Sequence, residues 1–242
     1  MDVCVNEMRA LILAAGLGTR LAPITDGRPK SLVPVNGTPI LMKQLDNLHR
    51  NGIYNITIIS GYKADILEKT VHERYPEINI IENVDYAATN NMYSAYLGRT
   101  AVENHKFLMM NADVFFDASV MAALMDFAAP DAIVTDIGRY IDESMKVVEK
   151  DGRLIEISKA IAQRNALGVS IDVYKFSAEG GNAFFRKCAE YIEEKNELKK
   201  WSEVALNGIL DEVEFKACPL DGRWFEIDDA KDLEAAEKLF KE

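Results

Sequence analysis

Leu11-Ile12-Leu13-Ala14-Ala15-Gly16-Leu17-Gly18-Thr19-Arg20-Leu21 reads as a buried strand that runs straight into a loop of glycines and then a fixed cation. Gly16 and Gly18 remove side chains, so the N–H groups of the loop can approach a phosphate, and Arg20 can fork onto phosphate oxygens. The loop is not the dinucleotide fingerprint, because the third glycine of GxGxxG falls on Leu21. Nor is it a Walker loop, which needs Gly-Lys-Ser or Gly-Lys-Thr at its end.

Working outward, apolar runs rich in Ile, Leu and Val recur at 9–14, 55–60, 78–81, 107–110 and 132–135, with helical spacing between them. Strand and helix alternating in this way predict an α/β fold, three-layered and Rossmann-like, around a mainly parallel mixed sheet. Thr38-Pro39 predicts a helix start, with Thr38 as N-cap and Pro39 at the first helical position, and Gly52 closes that segment. Further helices are expected near 63–74 and 92–102. After Asp136 the order changes: 145–149 and 154–158 flank Lys150-Asp151-Gly152-Arg153 as an antiparallel hairpin would. Another apolar run follows at 168–176, then helical spacing over 179–208, strands at 213–217 and 224–227, and a closing helix over 229–241. With no repeat, linker or low-complexity tract, residues 1–242 are expected to form one domain. Its nucleotide-handling part spans about 8–137 and its acceptor-shaping part about 138–242.

The composition agrees. A chain of 242 residues, 48% hydrophobic, can bury a sizeable core. A formal net charge of -11 disfavours nucleic acid or an anionic membrane as partner. No spanning helix or signal peptide is read, so a cytoplasmic protein is expected, a monomer or homodimer. Cys4, Cys188 and Cys218 suggest neither a disulfide framework nor a zinc site. The histidines, His49, His72 and His105, read as surface residues.

Continuing past the loop, Pro23, Thr25, Pro29-Lys30, Leu32, Pro34-Val35, Gly37 and Pro39 complete the pattern GxGTRLxPxTxxxPKxLxPVxGxP at every fixed position between Gly16 and Pro39. On these residues the chain resembles the nucleotidyltransferases that include the sugar-1-phosphate pyrophosphorylases. The resemblance implies that Leu13, Ala14, Ala15, Gly16, Gly18 and Thr19 bind the nucleotide and that Arg20 and Lys30 contact its triphosphate. Attack on the α-phosphorus crowds negative charge onto the oxygens there and onto departing pyrophosphate, which fixed cations stabilise.

The run Phe107-Leu108-Met109-Met110-Asn111-Ala112-Asp113 is a buried strand ending on an acid, where open α/β sheets place ligands. Asp113 is therefore a metal candidate. The family pattern places a second metal-binding aspartate at Asp228, in Trp224-Phe225-Glu226-Ile227-Asp228-Asp229, and two hard oxygen ligands suit Mg²⁺. Glu226 shares Asp228's side of its strand and is expected to support it or face the acceptor.

The string Asn90-Asn91-x-Tyr93-Ser94 resembles the phosphocholine cytidylyltransferase branch, as do Asp136 with Met145-Lys146-Val147 and Ile157-Ser158-Lys159. The same pair of asparagines also suits the cap of a helix starting near Met92. The branch implies CTP as donor, with Asn83 on the pyrimidine edge and Asn91, Tyr93 or Ser94 near the acceptor or ribose. Lys146 and Lys159 would clamp the acceptor phosphate, and Asp136 would pair with a primary amine. The sequence departs from the branch at Trp201-Ser202-Glu203-Val204-Ala205-Leu206-Asn207, where Val204 and Ala205 replace an expected aromatic and acid. Trp201 and Glu203 can serve from a shifted register. The expected activity is CMP transfer from CTP to a small phosphorylated or phosphonate acceptor; the alternative is a sugar-1-phosphate nucleotidyltransferase using UTP, dTTP or GTP.

Overall fold

The computed structural model describes residues 7–25 and 27–241, so Cys4 and the leader reading of the first residues lie outside the described part. In chain order the strands are β1 (Arg9–Leu13), β2 (Pro34–Val35), β3 (Thr38–Pro39), β4 (Asn55–Ser60), β5 (Asn79–Glu82), β6 (Phe107–Asn111), β7 (Val114–Phe116), β8 (Ala132–Ile137), β9 (Lys146–Lys150), β10 (Arg153–Ser158), β11 (Gly168–Phe176), β12 (Lys216–Pro219) and β13 (Trp224–Glu226). The helices are α1 (Ile40–Arg50), α2 (Ala64–His72), α3 (Asn91–Leu97), α4 (Arg99–Val102), α5 (Ala118–Asp126), α6 (Ala178–Ala189), α7 (Ser202–Asn207) and α8 (Ala230–Leu239).

β1 is buried on both faces because its alternating side chains feed two cores. Ala10 and Ile12 pack with residues of α1, α2 and α5 on one side, and Leu11 and Leu13 pack with α3, α6 and α7 on the other. The result is three layers, helices on either face of one large sheet. Its path runs β10-β9-β11-β6-β1-β4-β5, with β8 paired to β11 and β12. β6, β1, β4 and β5 are mutually parallel, whereas β11 joins β6 antiparallel and opens the mixed half. The chain leaves β1 for β4 and β5 on one side and returns to β6 on the other. The loops after β1 and β6 therefore diverge and open a crevice at the carboxyl ends of both strands.

Several boundaries differ from the sequence reading. Thr38-Pro39 does not start a helix: the pair stays extended to form a ladder with Pro34-Val35 around Asn36 and Gly37, both at positive φ, and α1 begins at Ile40 with Pro39 as its N-cap. The helix expected over 92–102 is two short helices meeting at Gly98, where an added Cβ would lie 2.4 Å from Leu11 Cδ1. Helical spacing over 179–208 resolves into α6, a π-helical turn at Glu190–Glu194, an irregular stretch and α7. The strand expected at 213–217 begins only at Lys216, since Val213 and Phe215 are used instead to plug the core under α6 and α7. The 145–158 hairpin is present, with Asp151 and Gly152 at positive φ in its turn. His49, His72 and His105 are partly buried rather than surface residues; His49 sits edge-on to Tyr75 with ring centroids 4.4 Å apart. Cys188 and Cys218 are buried free thiols. No helix among the described residues is long and apolar enough to cross a membrane.

Candidate active site

The crevice is a cleft of about 390 Å³, and the residues expected to bind nucleotide, Leu13, Ala14, Ala15, Gly16, Gly18, Thr19, Arg20, Lys30 and Asn83, all line it. Gly18 is at φ +62, and a Cβ there would stand 2.7 Å from Lys30 Cβ, so the loop closes against the lysine only because Gly18 has no side chain. A Cβ at Gly16 would meet nothing within 4 Å, which places that glycine on the open wall.

Asp113 and Asp228 come from distant parts of the chain, and a short ladder brings them together. β13 pairs antiparallel with β7, Glu226 opposite Val114, and the Ile227 N–H donates to the Asp113 carbonyl at 3.0 Å. Two side chains brace this corner. Gln44 of α1 donates to the carbonyls of Asn111 and Val114 at 2.9 Å each. Asp232 accepts from the Asp228 and Asp229 N–H groups at 3.0 Å each, while Asp229, not Asp228, caps α8.

Lys30 Nζ donates to Asp113 Oδ2 and Asp228 Oδ1, both at 2.7 Å, and Arg20 Nη2 reaches Asp228 Oδ1 at 2.8 Å. Burial works against the Lys30 ammonium, but the two carboxylates outweigh it and raise its pKa above the ordinary lysine value. Burial likewise pushes Asp228 up, yet Lys30 and Arg20 hold it below the usual carboxylate range. Glu226 stands beside both aspartates; burial first, then Asp113 and Asp228, push it up to about 7. Oxygen atoms of Asp113, Glu226 and Asp228 lie within 4.8 Å of one another, and Asp113 Oδ1 is buried without a hydrogen-bond partner. Three hard oxygen donors, one of them unsatisfied, fit a divalent cation such as Mg²⁺.

Of the residues expected at the acceptor, Asn91, Ser94, Lys159, Trp201 and Glu226 line the cleft. Lys159 Nζ sits over the Trp201 ring, 4.9 Å from its centroid. Three expectations are corrected. Lys146 is 0% exposed, its ammonium spent on the carbonyls of Asp142 and Lys159 at 2.6 Å each, so it braces Lys159 instead of clamping a phosphate. Asp136 accepts from Trp224 Nε1 at 2.8 Å and pairs with Arg139, away from the cleft. Tyr93 packs against the core beneath α3 and does not reach the wall. Asn83 does line the cleft, but its Nδ2 donates to Thr89 and Ser94 and its Oδ1 accepts from the Asp85 N–H, so it shapes the wall and has no amide proton left for a base. Asn90 is the α3 cap and Asn91 the first helical residue.

Asn111 and Asp172 also line the cleft, though neither is expected there from the sequence. Asp172 lies in β11 among apolar neighbours, and a lone acid inside a buried run was the available signal. Asn111 Nδ2 donates to Asp172 Oδ2 at 3.1 Å.

Known proteins resemble this arrangement throughout its length. Residues 9–146 match the family described as nucleotidyl transferase. A 2-aminoethylphosphonate cytidylyltransferase from Lancefieldella rimae is 28% identical over 236 residues, covering 95% of this chain and 92% of that protein. A choline-phosphate cytidylyltransferase from Streptococcus pneumoniae is 43% identical over 97 residues, covering 40% of this chain and 42% of that protein. The solved structure of the CTP:phosphocholine cytidylyltransferase from Streptococcus pneumoniae superposes with a TM-score of 0.83 at 25% identity, covering 97% of this chain and 100% of that one.

Proposed function

The chain belongs to the nucleotidyl transferase family, and from that membership we propose that it transfers CMP from CTP to a small phosphorylated or phosphonate acceptor with release of pyrophosphate. The observation that carries the reading is the meeting, at one strand-end crevice, of the glycine loop, Lys30 and Arg20 with Asp113, Asp228 and Glu226. The cytidylyltransferase activities named for relatives in Lancefieldella rimae and Streptococcus pneumoniae support CTP as the donor.

In the proposed reaction an acceptor oxygen attacks the α-phosphorus of CTP in line with the bond to the β-phosphate. That bond breaks and pyrophosphate departs. The attacking oxygen is already ionised at neutral pH, so no general base is required, and positioning and charge neutralisation carry the rate. The N–H groups from Ala15 to Thr19 receive the triphosphate, the Ala14 N–H being spent on the Ile59 carbonyl. Lys30 and Arg20 offset the charge gathering on the α-phosphate oxygens and the leaving group, a role worth on the order of 10²–10³ in kcat for one such donor. Asp113 and Asp228, with Glu226 beside them, would hold Mg²⁺, which when bound supplies further charge neutralisation along the triphosphate.

Pyrophosphate release with CTP, UTP, GTP, dTTP and ATP against phosphoethanolamine, phosphocholine, 2-aminoethylphosphonate and glucose 1-phosphate tests this reading. Turnover confined to CTP and a small non-sugar acceptor supports it. Preference for glucose 1-phosphate with UTP, dTTP or GTP would move the chain to the sugar branch.

A further inference from the structure

The inner wall of the cleft carries two carboxylates that the phosphoryl chemistry does not use. Asp172 sits within β11 at φ +57, at the register shift between Ser170 and Tyr174, and this bulge turns the acid out of an apolar strand and onto the cleft wall. Glu203, in the first turn of α7, lines the same wall and is only 3% exposed.

The Tyr174 hydroxyl lies 2.9 Å from Asp172 Oδ1 and 2.9 Å from Glu203 Oε1. A phenol carries one proton and can satisfy one acceptor at a time. The other contact is satisfied only if one carboxyl is itself protonated or if a cation joins them. Glu203 Oε2 is buried and makes no hydrogen bond, although Asn91 and Ser202 stand close beside the carboxylate. Burial, then Glu203, Glu226 and Asp113, push Asp172 well above the usual carboxylate range, and burial pushes Glu203 up as well. Among the described residues neither acid takes part in an ion pair. A buried acid and a half-buried one sharing a single hydroxyl stay charged together only where an opposite charge joins them, and a ligand can bring it.

We infer that Asp172 and Glu203 receive a positively charged end of the acceptor and that this end is a primary ammonium, an inference that rests on the cytidylyltransferase reading. Three N–H donors match the open lone pairs of Glu203 Oε2 and Asp172. A trimethylammonium has no N–H to give and is held by aromatic faces. The aromatic ring on this stretch of wall, Trp201, is 44% exposed and already carries the Lys159 ammonium over its face. Lys159 is left to meet the acceptor's phosphate, so an acceptor with an anionic and a cationic end spans Lys159 and the acid pair.

The test compares phosphoethanolamine, its trimethylated counterpart phosphocholine, and the uncharged isostere n-propyl phosphate, each with CTP, Mg²⁺ and the full chain. The kcat/KM for phosphoethanolamine is expected to exceed both others by roughly 100-fold or more, because buried acceptors left unpaired penalise a ligand lacking donors. Glu203→Gln and Asp172→Asn, each nearly isosteric, should raise KM for phosphoethanolamine by about 10-fold or more and shrink its advantage over n-propyl phosphate by the same factor. Equal use of phosphocholine or n-propyl phosphate by the unaltered chain overturns the inference, as does an unchanged phosphoethanolamine KM in both variants. Calorimetric binding of the three acceptors beside a non-cleavable CTP analogue separates the two claims. Ammonium-selective binding without turnover counts against CMP transfer and for the pocket; turnover without selectivity counts against the pocket alone.

Discussion

Replacing Gly18 by alanine perturbs the phosphate loop at a single carbon. Gly18 lies at φ +62, where an L residue costs about 1–2 kcal/mol. The new Cβ would also stand 2.7 Å from Lys30 Cβ. Comfortable carbon–carbon contact is ~3.5–4.0 Å, so the two segments must part by about 1 Å. The obstructing atom is next to the Lys30 backbone rather than at a flexible tip, so the whole side chain moves, and with it the ammonium that lies 2.7 Å from Asp113 and Asp228. Misplacing a catalytic group by about 1 Å costs on the order of 10²-fold in rate. Gly18→Ala is therefore expected to lose about 100-fold in kcat/KM and, through strain, about 1–3 kcal/mol of stability, which lowers Tm by about 2–4 °C per kcal/mol. Gly16→Ala is the control: a Cβ there meets nothing within 4 Å, so Tm should hold while KM for CTP rises as the methyl intrudes on the approach to the loop. Pyrophosphate release and thermal unfolding on both variants decide the matter. Unaltered kcat/KM in Gly18→Ala, or an exchange of the two behaviours, would mean that Gly18 does not seat Lys30.

Other expectations follow from the same corner. Asp113→Asn keeps the side chain's shape and leaves the Ile227 N–H on the residue 113 carbonyl and Lys30 on Asp228, so Tm should be nearly unchanged while kcat falls by about 10³-fold or more; wild-type turnover would remove Asp113 from the metal set. The Glu226 carboxyl keeps its proton up to about pH 7 when folded and loses it near 4.5 when unfolded, so the folded state binds more protons between those values and stability should fall as pH rises through that window. Thermal melts without divalent ions should show this decline, and Glu226→Gln should flatten it; an identical slope in the variant would exclude Glu226 as its source. Lys159→Ala should raise acceptor KM with CTP KM unchanged, and identical kinetics would make the lysine a bystander. Lys146→Met should lower stability by about 1–3 kcal/mol, because the carbonyls of Asp142 and Lys159 lose their donor; an unchanged Tm would contradict its bracing role.

The parts of the fold legible in the sequence were those fixed by local patterning. The apolar run at 11–13 had to be a buried strand, the residues from Gly16 to Lys30 stand together on one cleft wall, and Asp113 lies in the turn just past the end of β6, at the strand ends where the crevice opens. The parts that were not legible depend on partners far away in sequence. Thr38-Pro39 has the composition of a helix start, but pairing with Pro34-Val35 across a turn holds it extended. Lys146 carries the charge of a phosphate clamp, yet its ammonium is consumed by two carbonyls that only the folded hairpin brings near. Asp136 was a plausible amine partner until Trp224, from the far end of the chain, took its carboxylate. Asp172 escaped notice because its direction is set by a bulge, which shifts register without leaving a mark in hydrophobic periodicity.

The most direct test of CMP transfer is to follow CTP, phosphoethanolamine and Mg²⁺ with the protein by ³¹P spectroscopy. If CMP is transferred, the triphosphate signals give way in step to pyrophosphate and to a pair of coupled diphosphate-diester resonances, with acceptor consumed one for one. Conversion of CTP to CDP and orthophosphate, or consumption of CTP with the acceptor untouched, would contradict it.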